Sequence, residues 1–387
     1  MTRNLQAEQE SNAGTAQPIL QNDFKRQWAA TSHAVLGAVQ RVGASGWYIL
    51  GQEVEAFERT LASAWRMVYA VGTANGMDAI ELGLRCLKLK AGDKVLTTPL
   101  SAFATTLAII RAGGRPVFVD VDENGLIDLA QCRDILRRDS SIRFFVPVHL
   151  YGLPLDLNEL WKLKEEFNLQ VIEDCAQAIG ASWDRVPVGT AGQVAATSFY
   201  PTKNLGALGD GGALLTNDET INEKARCLRN YGQSSLYQHS DVGLNSRLDE
   251  LHAAILTEAL LPNLETWTQA RRETAQAYRS GILNPSIRLP ISAAASAPVW
   301  HLFPVQVSPE KRDQFREYLR SHHIVTGIHY PRIIPDQPAM ARIEHDVAFD
   351  PVRARQMAFT ETSLPIHPFL TPAETAKIVE ACNQWRG

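Results

Sequence analysis

The sequence predicts an α/β protein: a large domain on a mostly parallel central sheet, followed by a small C-terminal α+β domain. Three observations predict it. Between residues 67 and 174, short apolar runs alternate with stretches of helix length. The runs VYAV, FFVPV and VIED are almost continuously apolar, as strands covered on both faces are. At 387 residues the chain exceeds what one small core supports, so a second unit is expected.

Residues 1–22 are rich in Ala, Gln, Asn and Ser and read as a frayed polar N-terminal tail. Helical patterning covers 24–41 and 53–65, interrupted at Ser45-Gly46-Trp47. Strands are then expected at 67–71, 94–98, 116–121, 144–148 and 170–173, with helices at 77–89, 105–112, 129–138 and 157–167 between them. Strand–helix–strand units of this length cross over right-handedly and give parallel neighbours. Beyond Asp174 the alternation loosens. Two strands, at 195–200 and 212–216, flank a Gly-rich turn, and a helical region at 248–280 is interrupted by Pro262. VWHLFPVQV, a helix at 309–321, IVTGIHY and a helix at 373–385 close the chain. The large domain is therefore expected at 23–260, and the small domain with its connecting helix at 261–387.

The formal net charge is -4 and Lys and Arg form no block, which argues against nucleic acid or an anionic membrane as partner. No apolar stretch reaches the length of a membrane span. Cys86, Cys132, Cys175, Cys227 and Cys382 are scattered, giving neither a zinc knuckle nor a disulfide framework, so no metal is expected and a cytoplasmic location fits.

Ligands of open α/β sheets bind outside the carboxyl ends of the strands. Three segments fall there. Gly72-Thr73-Ala74-Asn75-Gly76 joins a strand to a helix; small residues and free helix N–H groups suit a phosphate, although alone it reads equally as a plain turn. Asp174 ends the VIED strand, where a carboxylate can pair with a cation, or simply cap. Lys203 lies in SFYPTKNLG between a strand and a glycine cluster, where a partly desolvated amine can attack an aldehyde.

VGTANGMDAIELGLRCL, VPVHLYGLPLDL, VIEDCAQAIGA, TSFYPTKNLGALGDGGALLT and GLNSRLDELHAAIL resemble successive motifs of the DegT/DnrJ/EryC1/StrS sugar aminotransferases, from about Ser45 to the C-terminus. The resemblance implies an aspartate-aminotransferase-like fold of type I, the cofactor pyridoxal 5'-phosphate and a homodimer with shared active sites. Lys203 matches the Schiff-base lysine, Asp174 the partner of the pyridine nitrogen and Gln177 a contact to the ring hydroxyl. Phe103 matches the residue stacked on the ring. Ala74, Asn75 and Ser198 match phosphate contacts, and Asn245 a phosphate contact from the partner subunit.

Tyr200-Pro201-Thr202-Lys203-Asn204 and Asn75-Gly76-Met77-Asp78 depart from the pattern of many carbon-four aminotransferases. The resemblance is to the branch acting on dTDP-linked 3-keto-6-deoxyhexoses with L-glutamate as donor. Tyr200, His329 and Tyr330 are then expected near the sugar. A 4-keto-sugar or amino-cyclitol aminotransferase of the same family is the alternative, with a non-catalytic pyridoxal-phosphate-binding regulator behind it. Lys203 stands where the family's dehydratase carries a His, which argues against that reaction.

Overall fold

The computed structural model describes residues 17–387. Helices α1 (Phe24–Ser45) and α2 (Gln52–Ala64) precede an alternating series. In it, β1 (Tyr69–Thr73), β2 (Lys94–Thr97), β3 (Arg115–Phe118), β4 (Phe144–Val146) and β5 (Gln170–Asp174) are spaced by α3 (Gly76–Cys86), α4 (Phe103–Arg111), α5 (Leu129–Arg138) and α6 (Leu157–Phe167). Strands β6 (Val194–Ser198) and β7 (Gly212–Thr216) complete the series.

These strands form one sheet in the order β1-β7-β6-β5-β4-β2-β3, with Asp346–Val347 added beside β3. All neighbours from β6 to that edge are parallel. β7 runs antiparallel to both β1 and β6, so it alone is reversed in this sheet. The connection from β6 to β7 can therefore be a tight local return instead of a helical crossover. That return carries Lys203.

Alternate residues feed two cores. Leu96, Val117, Phe145 and Val171 join one, while Val95, Val146, Ile172 and Val194 join the other. Period-two alternation with both faces apolar is why the strand sequences read as continuous apolar runs. Each fully buried Leu, Ile or Phe contributes on the order of 1.5–3 kcal/mol.

Several expected boundaries move. Helix α1 runs on to Ser45 and stops at Gly46, whose φ of 65° is left-handed backbone. The expected helix at 248–280 is Glu250–Ile255, a π turn at Leu256–Leu260, a 3-10 turn at Leu261–Asn263 and the helix Leu264–Gly281. The break falls at Pro262, which has no N–H to continue the ladder. Of the expected tail, residues 1–16 lie outside the described residues. The remainder is docked, not frayed: Ile19 is buried, its N–H donates to the His323 carbonyl (2.8 Å), and Val325 N–H donates back to Ile19 (2.9 Å). Among the described residues no helix is long and apolar enough to cross a membrane.

Candidate active site

Strand β1 ends at Thr73, and Asn75 starts α3 by accepting the Asp78 N–H on its side-chain oxygen (2.8 Å). The turn is pressed against the end of β6 and the start of β7. A Cβ on Gly76 would stand 2.7 Å from the Ser198 Cβ, and one on Gly212 would stand 2.4 Å from the Asn75 carbonyl carbon. Only glycine allows that approach. It places the N-terminus of α3, with its free N–H groups and positive dipole end, beside the Ser198 hydroxyl. Behind the turn, buried Glu58 accepts the Gly72 N–H (2.8 Å) and pairs with Arg229 (2.5 Å), which also donates to the Gly72 carbonyl (2.8 Å). This clamp fixes the strand end from the core side.

In front of the turn is a cleft of roughly 370 Å³, whose lining includes Asn75, Asp174, Gln177, Ser198, Tyr200 and Lys203. Asp174 is buried at the end of β5 and accepts from the Thr105 hydroxyl (2.8 Å) and the Ala176 N–H (3.0 Å). Gln177 accepts the Tyr151 N–H (2.6 Å) and donates to the Tyr330 hydroxyl (3.2 Å). Burial pushes the Lys203 amine down to about 8, opposed by the charge of Asp174. A useful fraction of that amine is thus unprotonated near neutral pH, which nucleophilic attack requires.

The other expected residues fall at different places. His329 and Tyr330 are not among the residues lining this cleft: the His329 carbonyl accepts the Tyr151 hydroxyl (2.5 Å), and the Tyr330 hydroxyl accepts from Gln177, which does line it. Burial and the Lys203 charge hold His329 down to about 4. Ala74 is half-buried, and its N–H donates to the Ser246 hydroxyl (3.1 Å). Asn245 is exposed and bridges Asn230 through the backbone, away from the lining of this chain's own cleft. Phe103 opens α4 between lining residues Ala102 and Ala104, but its ring packs on Phe118, Ile334 and Met340. The structure does not bring it into the cleft lining.

Thr105, Ser246 and Asp210 were not singled out from the sequence, although Asp210 stands in the Gly-rich stretch and Ser246 follows Asn245. Thr105 has no local signal, since its partner Asp174 is 69 residues away. A further acidic group, Glu173, belongs to a buried cluster with His149 and Cys175. Its two oxygens already accept from His149 (2.9 Å), Gly189 N–H (2.8 Å) and Gly192 N–H (2.6 Å), so it braces the fold.

The cleft thus offers a glycine-built anion cradle, a carboxylate at a strand end and an amine of depressed basicity. Pyridoxal phosphate presents the complementary set: a phosphate, a pyridine nitrogen and an aldehyde. The residues present fit that cofactor.

The DegT/DnrJ/EryC1/StrS aminotransferase family matches residues 30–383. A Streptomyces venezuelae dTDP-3-amino-3,4,6-trideoxy-alpha-D-glucose transaminase is 40% identical over 366 residues, covering 94% of this chain and 95% of the relative. The dTDP-3-amino-3,6-dideoxy-alpha-D-galactopyranose transaminase of Aneurinibacillus thermoaerophilus is 43% identical over 349 residues, covering 90% and 94%. The crystal structure of S. venezuelae DesV in complex with a ketimine intermediate superposes with a TM-score of 0.91 at 38% identity, covering 96% of this chain and 99% of that one. This chain belongs to the DegT/DnrJ/EryC1/StrS aminotransferase family and has its fold.

Proposed function

We propose that the protein is a pyridoxal-phosphate-dependent aminotransferase that converts a dTDP-linked 3-keto-6-deoxyhexose to the 3-amino sugar, with L-glutamate as donor. The observation that carries the reading is the placing of Lys203 and Asp174 in one cleft beside the glycine cradle. The dTDP-3-amino-sugar transaminases similar to this chain over nine-tenths of its length supply the substrate class.

When bound, the cofactor supplies an electron sink for the carbon that loses its proton. The chain's residues do the rest. Asp174, held by Thr105, keeps the pyridine nitrogen protonated, and Gln177 meets the ring hydroxyl. Ala74, Asn75 and Ser198 bind the phosphate, with Asn245 reaching across from the second chain of a homodimer. Phe103, which matches the family's ring-stacking residue, packs on Phe118 here and would have to turn to reach the ring. Lys203 would hold the aldehyde, and once freed by the donor amine its Nζ would carry the proton from the donor carbon to the carbon on the other side of the shared nitrogen, a 1,3 transfer. Tyr200, His329 and Tyr330 face the sugar. The large domain, 23–260, holds the cofactor and 261–387 closes the substrate side.

Transfer in two halves predicts ping-pong kinetics. Protein loaded with pyridoxal phosphate and given glutamate forms 2-oxoglutarate, and mass spectrometry then finds the amino sugar from a panel of dTDP-linked 3-keto and 4-keto sugars and keto-cyclitols. No 2-oxoglutarate would sink the aminotransferase reading. Amination of only the 4-keto or cyclitol members would overturn the 3-keto assignment.

A further inference from the structure

A buried acid that the chemistry above leaves unused lies beside His329. Glu361 is fully buried in the strand Glu361–Leu364. One of its oxygens accepts the His329 backbone N–H (2.6 Å) and the other accepts the Ser363 hydroxyl (2.5 Å). The same hydroxyl lies 2.9 Å from the His329 Nδ1. Glu361, Ser363 and the His329 ring therefore form an unbroken chain of hydrogen bonds. Its ring end, Nε2, has no protein partner among the described residues and is not one of the buried unsatisfied atoms.

We infer that Glu361 and Ser363 form a proton relay that lets His329 exchange a proton with a sugar oxygen at Nε2 without passing through an imidazolium. The inference rests on the reading that His329 faces the sugar. In one direction Nε2–H gives its proton to the oxygen, Nδ1 takes the Ser363 proton, and Ser363 takes the proton of Glu361. One proton leaves the acid and one reaches the sugar, so the ring stays neutral throughout. The return path reverses each transfer.

The electrostatics agree with this assignment. Burial pushes Glu361 up to about 8, against Arg312 and Arg316, which favour its charged form. Burial and Lys203 hold His329 down to about 4, so an imidazolium is disfavoured where a neutral ring is needed. The other groups facing the chain are His301, held neutral by burial, and the phenols of Tyr151 and Tyr330, both raised by burial. None of them competes for the proton near neutral pH. Below about 8 the acid is protonated and the His329 hydrogen sits on Nε2; above it, the hydrogen moves to Nδ1 and Nε2 becomes a base.

The test is nitrogen NMR of the cofactor-loaded protein labelled with 15N-histidine, with His329 assigned from the signals lost in His329→Asn. In the unsubstituted protein the Nδ1 and Nε2 shifts of His329 should exchange character with a midpoint near 8. The exchange should vanish in Glu361→Gln and in Ser363→Ala. Ser363→Ala keeps the Glu361 bond to the His329 N–H, so it serves if the first variant does not fold. It should also slow the sugar half-reaction by about 10–100-fold. A single tautomer across the titration in the unsubstituted protein, an exchange that survives in Ser363→Ala, or a sugar half-reaction at full rate in that variant overturns the relay. The NMR signature needs no sugar, so its presence with no amination of any sugar would sink the substrate assignment and leave the relay standing.

Discussion

Two neighbouring carboxylates at the end of β5 face opposite sides of the sheet, and the two regions they enter differ in one respect. On the Glu173 side the carboxylate accepts from three fixed donors: His149, Gly189 N–H and Gly192 N–H. On the Asp174 side, among the described residues, only Thr105 and the nearby Ala176 N–H donate, and the rest of the carboxylate opens on the cleft. Both acids are buried, so burial does not tell them apart. What separates the two acids is how much of their hydrogen-bonding capacity the fold takes up and whether the remainder opens on a cleft.

The contrast can be broken by substitution. Lys203→Ala removes the group the open side serves, and turnover should fall on the order of 10⁴-fold while the protein still takes up the cofactor. Near-full activity, measured as 2-oxoglutarate release, would mean another amine does the work. Asp174→Asn should cost about 10²–10³-fold in the same assay, with thermal unfolding little changed. Glu173→Gln should do the reverse. Its buried N–H donors lose charged acceptors, and stability should drop by about 2–3 kcal/mol in denaturant melts while the folded fraction keeps its activity. A stable but inactive Glu173→Gln would erase the distinction. Thr105→Val, which withdraws one donor from Asp174, should cost about 1 kcal/mol, read as a several-fold slower turnover.

Much of the site was legible in the sequence, for identifiable reasons. VIED ends a strand whose apolar run is unmistakable, so Asp174 falls at the ligand-binding end of a parallel sheet. Lys203 was placed by its glycine-rich flank and by motif resemblance. The reversed strand β7 was not legible, because an apolar run such as GALLT fixes that a strand forms and leaves its direction open. Thr105 and Glu361 escaped for a related reason. Thr105 meets Asp174 69 residues away and Glu361 meets His329 32 residues away, and a lone Thr or Glu carries no periodic signal. Phe103 shows the converse: its motif position was clear, while the direction of its ring depends on Phe118, Ile334 and Met340, contacts set by the tertiary fold. Ile19 likewise looked like part of a polar tail until its backbone pairing with residues 323 and 325 appeared.

The reversed strand has a consequence for motion. Lys203 is carried on a return of about thirteen residues whose ends are joined by Phe199 N–H to the Gly211 carbonyl (2.7 Å), with a second tie within it from Ala207 N–H to the Phe199 carbonyl (2.7 Å). The lysine therefore rides on a closed loop rooted between two paired strands, and its reach is that of its own side chain alone. Amides at the root of this loop should be among the slowest in the chain to exchange with deuterium, and domain breathing that opens the cleft should leave the amine at a constant height above β5.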